Sequence, residues 1–272
     1  MKLQTKPLES TDAISELKKQ FFQSSTAPLD GMWHFGFAQY AKHYGFYKDD
    51  ILVGYCCIND DGYILQFYLT PPAQSNASEL FTLIAHNNNP VLGKVKGAFC
   101  STAETNCFLY CLDNSPSIEV NSLMYQQIDA SKIPENETLD MTLATQNQLD
   151  DFVKFAVESI GAPEQWLSGY FSGLIERNEL WGYWINNILV ASGECRLRDE
   201  HQTEYADLGM IVAPSERGKG IATRILKTLK NKTIDKGLKP ICSTEHNNIG
   251  AQKAIRNAGF ESSNRIVQFN FK

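Results

Sequence analysis

Asp207-Leu208-Gly209-Met210-Ile211-Val212-Ala213-Pro214-Ser215-Glu216-Arg217-Gly218-Lys219-Gly220-Ile221-Ala222-Thr223 reads as a strand, a tight turn and the opening of a helix. Residues 208–212 form an apolar, β-rich run stopped by Pro214. Ile221, Ala222, Ile225, Leu226 and Leu229 share one helical face. The loop between them holds glycines, which permit φ > 0 and let a ligand approach the backbone. At a helix N-terminus the free N–H groups and the helix dipole favour an anion, and Arg217 and Lys219 add positive charge. The expectation is a pyrophosphate cradle; the plainer alternative is a strand–turn–helix with solvated basic residues. The G-x-x-x-x-G-K-[ST] phosphate loop is absent, and a dinucleotide fingerprint would need Gly or Ala where Thr223 stands.

Downstream, residues 238–244 read as a strand. Asn248-Ile249-Gly250-Ala251-Gln252-Lys253-Ala254-Ile255-Arg256-Asn257-Ala258-Gly259-Phe260 follows as a short helix, with Asn247 or Asn248 as N-cap and Gly259 as the stop. The segment Arg217-Gly218-Lys219-Gly220-Ile221-Ala222 resembles the acyl-CoA signature [R/Q]-x-x-G-x-[G/A] of the GNAT (GCN5-related N-acetyltransferase) family. The segment from Asn248 is similar to that family's second signature, N-x-x-A closed by Gly-Phe. The resemblance covers about the last half of the chain.

The 272 residues, 43% hydrophobic and 21% charged, suffice for one large or two small domains. A net charge of −6 argues against nucleic-acid binding, which needs a basic face, and leaves room for a cationic amine. The start, Met1 to Lys6, has no apolar leader, and no apolar run approaches the roughly 18 residues of a membrane span. The seven cysteines form no C-x-x-C pair and sit largely in strand-like stretches, as reduced core thiols of a cytoplasmic protein would. The five histidines are scattered and none is spaced with a cysteine as a ligand pair, so no metal site is expected.

Internal repetition sets the domain organisation. Tyr44-Gly45-Phe46-Tyr47-Lys48-Asp49-Asp50-Ile51-Leu52-Val53 is an aromatic strand, an Asx-Asx turn and an aliphatic strand, and residues 181–190 repeat it as Trp181-Gly182-Tyr183-Trp184-Ile185-Asn186-Asn187-Ile188-Leu189-Val190. Residues 63–72 then align with 205–214, and residues 100–106 with 242–248, at one offset without a gap. Three ordered matches point to duplication. Two tandem domains, 1–130 and 131–272, are expected, joined by the polar stretch 129–137. The first copy reads as a strand at 3–8, a helix at 9–23, a helix at 32–43 and the hairpin. The second reads as a strand at 139–143, helices at 146–160 and 163–178, strands at 180–185, 188–196 and 205–212, and a final strand at 263–272. This order is mixed α/β and matches the GNAT order. It implies two copies of a mostly antiparallel, twisted sheet flanked by helices.

The resemblance also implies chemistry: transfer of an acetyl group from acetyl-CoA to the primary amine of a small molecule or peptide, by direct attack in a ternary complex (EC class 2.3.1). Neither nucleic acid nor membrane is an expected partner. By the same resemblance, backbone groups of Met210, Ile211 and Val212 hold the pantetheine arm and polarise the thioester. Arg217, Gly218, Lys219, Gly220, Ile221 and Ala222 carry the pyrophosphate, and Asn248 meets the pantetheine end. A lysine-like amine, with a pKa of roughly 10.4, must first lose a proton. Asp207, at the start of the key strand, is the expected base, directly or through water. Glu245 and His246 are weaker choices. The family's usual tyrosine acid would fall at position 255, which is Ile255 here. That departure supports a second reading, a catalytically silent CoA-binding or scaffolding protein. The acceptor is expected near residues 160–170, with Trp181, Tyr183 and Trp184 either lining its cleft or packing in the core. Opposite residues 217–222 the first copy has Ser75-Asn76-Ala77-Ser78-Glu79-Leu80, without glycine or basic residue, so one CoA per chain is expected.

Overall fold

The computed structural model describes residues 3–272; Met1 and Lys2, where the reading of a leader-free start begins, lie outside the described residues. In chain order the first elements are β1 (Gln4–Pro7), α1 (Ser15–Ser24), β2 (Lys42–Lys48), β3 (Ile51–Ile58), β4 (Tyr63–Leu69), α2 (Ala77–Ala85), β5 (Gly97–Ser101), α3 (Thr105–Asn114) and β6 (Ser117–Gln127). There follow β7 (Thr142–Leu143), α4 (Leu149–Ile160), α5 (Glu164–Glu176), β8 (Leu180–Ile185), β9 (Ile188–Arg196), β10 (Tyr205–Val212), α6 (Ile221–Asp235), β11 (Lys239–Glu245), α7 (Ile249–Asn257) and β12 (Phe260–Asn270). Among the described residues no helix is long and apolar enough to cross a membrane.

The chain forms two compact units, Met1–Leu123 with Asn264–Lys272, and Met124–Ser263. The first has strand order β1-β2-β3-β4-β5-β12, antiparallel except for β4 beside β5. One face buries Phe46, Phe67, Phe81 and Phe269 under α2 and α3, and the other buries Phe21, Tyr55 and Ile14 under α1. The second has the order β6-β11-β10-β9-β8-β7, with β10 and β11 parallel. Phe152, Phe171 and Leu174 of α4 and α5 fill one face, while Ile225, Leu226 and Leu229 of α6 are buried on their own helix.

The duplication is written into the backbone. Asp49 and Asp50 have φ of 49° and 61°, and Asn186 and Asn187 have the same pair. Two consecutive left-handed residues define the hairpin turn whose twist matches its strands, and Asx side chains tolerate that region. Each hairpin also slips register just before its turn, between Phe46 and Tyr47 and between Tyr183 and Trp184.

Three expectations meet a different outcome. The helix expected at 32–43 is a wide π turn, Met32–Phe37, then a short 3-10 turn, Ala38–Tyr40, and β2 begins at Lys42. The wide turn seats buried His34 against Gln66, with Nδ1 3.0 Å from Nε2, and packs Trp33 at a tilt against Phe99, so packing overrides the helical pattern. The stretch 129–137 is no free linker: Asn231 of α6 exchanges two hydrogen bonds with the Ile133 backbone, and Lys227 and Asp235 pair with Glu137 and Lys132. The expected final strand exists as β12, but residues 266–270 pair antiparallel with β5, so the tail completes the first unit.

Phe269 is fully buried against Phe108. Phe269→Ala should cost about 3–5 kcal/mol, concentrated in the first unit. Hydrogen exchange should then quicken in β5 far more than in β9; equal protection in both would show that the tail does not hold that unit.

Candidate active site

The site grows from a gap in the second sheet. β10 pairs with β11 from Tyr205 to Leu208, where Leu208 faces Cys242, and the parallel register stops there. On its other edge β10 stays paired to β9 as far as Val212. Residues 209–212 are therefore half-exposed, with backbone groups along one edge turned toward the opening. Met210, Ile211 and Val212 lie in this segment.

The loop beyond is built by its backbone. Gly218 and Gly220 have φ of 80° and 79°, and a Cβ on either would meet nothing within 4 Å. Glycine is needed there for conformation, and the space beside it stays open. No side chain caps α6, whose first bond runs from the Arg224 N–H to the Gly220 carbonyl at 3.2 Å. The N–H groups of Ile221 and Ala222 thus lack intrahelical acceptors at the positive end of a 15-residue helix. The basic side chains serve elsewhere. Arg217 donates to the Val212 carbonyl at 3.2 Å and to the Ser159 carbonyl at 2.7 Å, bracing the strand end against the end of α4. Lys219 pairs with Glu216 at 2.9 Å. Asn248 caps α7, its Oδ1 accepting from the Ala251 N–H at 3.1 Å. Ile255 is buried in the core.

Asp207 is buried, 2% exposed, and held between guanidinium groups: Oδ1 lies 3.0 Å from Arg196 Nη2, and Oδ2 3.9 Å from Arg198 Nη2. It sits where β10 is still paired on both edges, opposite Arg196 and Ile241. The acidic group level with the opening is Glu194, opposite Gly209. Its Oε2 accepts from the Tyr170 hydroxyl at 2.6 Å and from Arg196 Nη1 at 2.7 Å. Both bonds fall on one oxygen, so Oε1 keeps its lone pairs for another donor. Gly209 makes room for the pair, since a Cβ there would stand 3.1 Å from Oε2 and 3.2 Å from Arg196 Nη1. Burial pushes the Tyr170 phenol well above its ordinary pKa, and the Glu194 charge adds to the rise, so Tyr170 is a donor. Burial opposes the Arg196 charge, but Asp207, Tyr170 and Glu194 outweigh it and hold that guanidinium charged.

Glu194 and Arg196 were not singled out in the sequence, although a signal was present: two charged residues at period two inside the apolar strand Ile188–Arg196. Tyr170 lies within the acceptor stretch expected at 160–170, and half-exposed Trp166 stacks on it at 4.8 Å between centroids. Of the other aromatics, Trp184 packs edge-on against Phe152, and Trp181 lies beneath the Lys232 ammonium.

The corresponding place in the first unit is crossed by a side-chain bridge. β4 and β5 pair only at Tyr63 and Ile64 before parting. Gln74 then donates to the Leu69 carbonyl at 2.7 Å and accepts from the Tyr110 hydroxyl at 3.1 Å. The 3-10 turn Pro71–Asn76 runs straight into α2, none of its residues has φ > 0, and Glu79 stands in the first turn of α2.

Comparison with known proteins concerns the family and the fold. Residues 10–128 match the acetyltransferase (GNAT) domain family, and residues 147–260 match the acetyltransferase (GNAT) family. No curated protein matches the chain. An acetyltransferase of the GNAT family from Colwellia psychrerythraea is 57% identical, with 99% of this chain and 100% of that one covered and a TM-score of 0.95. A GCN5-related N-acetyltransferase from Sphaerobacter thermophilus (13% identity, 98% and 94% covered, TM-score 0.64) shares the fold. So does a tandem GNAT protein from the clavulanic acid biosynthesis pathway (11% identity, 98% of each chain covered, TM-score 0.62). With a near-identical fold at 57% identity and both halves matched, the chain belongs to the GNAT acetyltransferase family, as two GNAT domains in tandem.

Proposed function

We propose that the second unit transfers an acetyl group from acetyl-CoA to a primary amine by direct attack in a ternary complex. The observation that carries this reading is the parting of β10 from β11 beside an uncapped, glycine-built helix N-terminus. Open backbone groups of Met210, Ile211 and Val212 hold the pantetheine arm. The N–H groups from Gly218 to Ala222 take the pyrophosphate, with Arg217 as a brace and Lys219 as a neighbouring charge. Asn248, already spent in part as a cap, borders the pantetheine end. The bound thioester supplies an activated acetyl group.

On the acceptor side, Glu194 offers Oε1 to the incoming ammonium and takes its proton, directly or through water. Tyr170 and Arg196 fix the carboxylate, and Asp207 holds Arg196, a positioning role in place of the one expected for it. Trp166 and Tyr170 wall the acceptor side. The leaving thiol, with a pKa near 8.5 by analogy with cysteine, departs as thiolate without an acid at Ile255. The first unit, with its bridged cleft, is a degenerate companion, and one CoA binds per chain. The seven free cysteines suit a reducing, cytoplasmic setting. Ile255 favours one rival, a protein that binds CoA without turnover, and release of CoA thiol with a panel of amines decides between them.

Four outcomes follow. Gly220→Val should weaken acetyl-CoA binding by at least about tenfold, or 1.4 kcal/mol; unchanged affinity by calorimetry would remove the loop from the cofactor site. Glu194→Gln should lower turnover by roughly 10²–10⁴ with little effect on acetyl-CoA affinity. Asp207→Asn should lose stability, because it leaves Arg196 without its full counter-charge, and should lower turnover less than Glu194→Gln does. Parental turnover in Glu194→Gln, with the larger loss in Asp207→Asn, would return the base to Asp207. Finally, titration with acetyl-CoA should saturate at one per chain, and two equivalent sites would refute that reading of the first unit.

A further inference from the structure

No metal ligands are expected from the histidines, and the cysteines read singly as core thiols. The first unit nevertheless brings three of them together. Cys100 lies on β5, and Cys107 and Cys111 lie one turn apart on α3, so both helix thiols face the strand thiol. The three sulfurs all lie within 4.8 Å of one another. Cys100 and Cys107 are 1% and 6% exposed, and Cys111 is fully buried. The core around them is apolar, including Phe67, Phe81, Ala77 and Val267, apart from the buried Glu104 carboxyl, which accepts from the Ser101 N–H at 2.7 Å.

A small cavity lies beside one member of the cluster, Cys107. Its volume is about 30 Å³, and it is lined by Phe67, Leu69, Gln74, Glu104, Cys107 and Tyr110. Gln74 and Tyr110, which line it, are hydrogen-bonded to each other. The first unit therefore keeps a small cavity against one thiol of the cluster.

We propose that Cys100, Cys107 and Cys111 form a trithiolate site for a soft, three-coordinate ion, with trivalent arsenic as the best-matched chemistry. Three considerations select this class. Thiolates choose soft ions over hard ones. Among the described residues the cluster offers three donor atoms and no fourth from His, Cys, Asp or Glu, whereas zinc at a closed structural site takes four. An apolar interior penalises net charge: three thiolates carry a residual −2 with Cu(I), −1 with Zn(II) and zero with As(III). In the last case arsenous acid reacts with three thiols. Three As–O bonds break, three As–S bonds form and three waters leave, carrying the thiol hydrogens. No oxidation state changes, so no further reactant is needed.

The test uses the full chain, reduced and handled without oxygen, titrated with arsenite and followed by native mass spectrometry and by sulfur-to-arsenic ultraviolet absorption. The expected product is one adduct per chain, heavier by one arsenic less three hydrogens. Cys100→Ser, Cys107→Ser and Cys111→Ser should each lose it. Cys195→Ser, in the second unit, should keep it. Circular dichroism checks folding, and Cys107→Ala replaces any serine variant that fails that check. The parent protein alone can overturn the proposal, by forming no adduct or one that has displaced only two hydrogens. Adduct formation surviving in folded Cys107→Ala would also overturn it, as would stoichiometric Zn(II) that arsenite does not displace.

Discussion

The second unit depends on a broken ladder. A sheet is held by paired N–H and C=O groups, and a strand that parts from its neighbour inside a sheet leaves those groups without partners. Here β10 does so over residues 209–212 while keeping its full register with β9. The intact side fixes the strand, the open side offers a row of donors and acceptors, and the Arg217 guanidinium takes up the last carbonyl. The loop glycines and the uncapped end of α6 continue that unsatisfied edge around the corner. A single surface of unmet backbone polarity results, and side-chain charge plays only a minor part in it.

The two units answer the same problem in opposite ways. In the first, β4 and β5 also part, yet the exposed carbonyl of Leu69 is met from within by Gln74, which Tyr110 holds in turn. Gln74 stands two positions past the strand-ending proline pair, and without αL residues the turn winds directly into α2. The strands part in both units, and in the first the backbone carbonyl at the gap is satisfied internally.

Local chemistry was the part legible in sequence. The Asx-Asx turns, the strand before Pro214, the helix after Gly220 and the Asn248 cap all rest on contacts a few residues apart, and each stands where the residues place it. What could not be read depends on which face meets which. The Asp207 position was visible, but its burial between two arginines was not, because Arg196 and Arg198 arrive from another strand and its following loop. Glu194 was hidden for the same reason: it becomes prominent only once strand register sets it beside Gly209. The wide turn at Met32–Phe37 shows aromatic packing and a buried histidine overruling helical periodicity. The thiol cluster joins residues of a strand and a helix whose spacing follows no familiar ligand pattern.

The last strand has a consequence for the order of events in synthesis. Residues 266–270 close the sheet of the first unit, but they leave the ribosome after the whole second unit. At bacterial-like elongation speeds of about 5–20 residues per second, β5 waits roughly 7 to 28 s between its unit's first 123 residues and its final partner. During that interval its edge is an unpaired template in the nascent chain, open to any strand that passes. The second unit can be assembled before the first is finished, which reverses the N-to-C order usual for chains of independent domains.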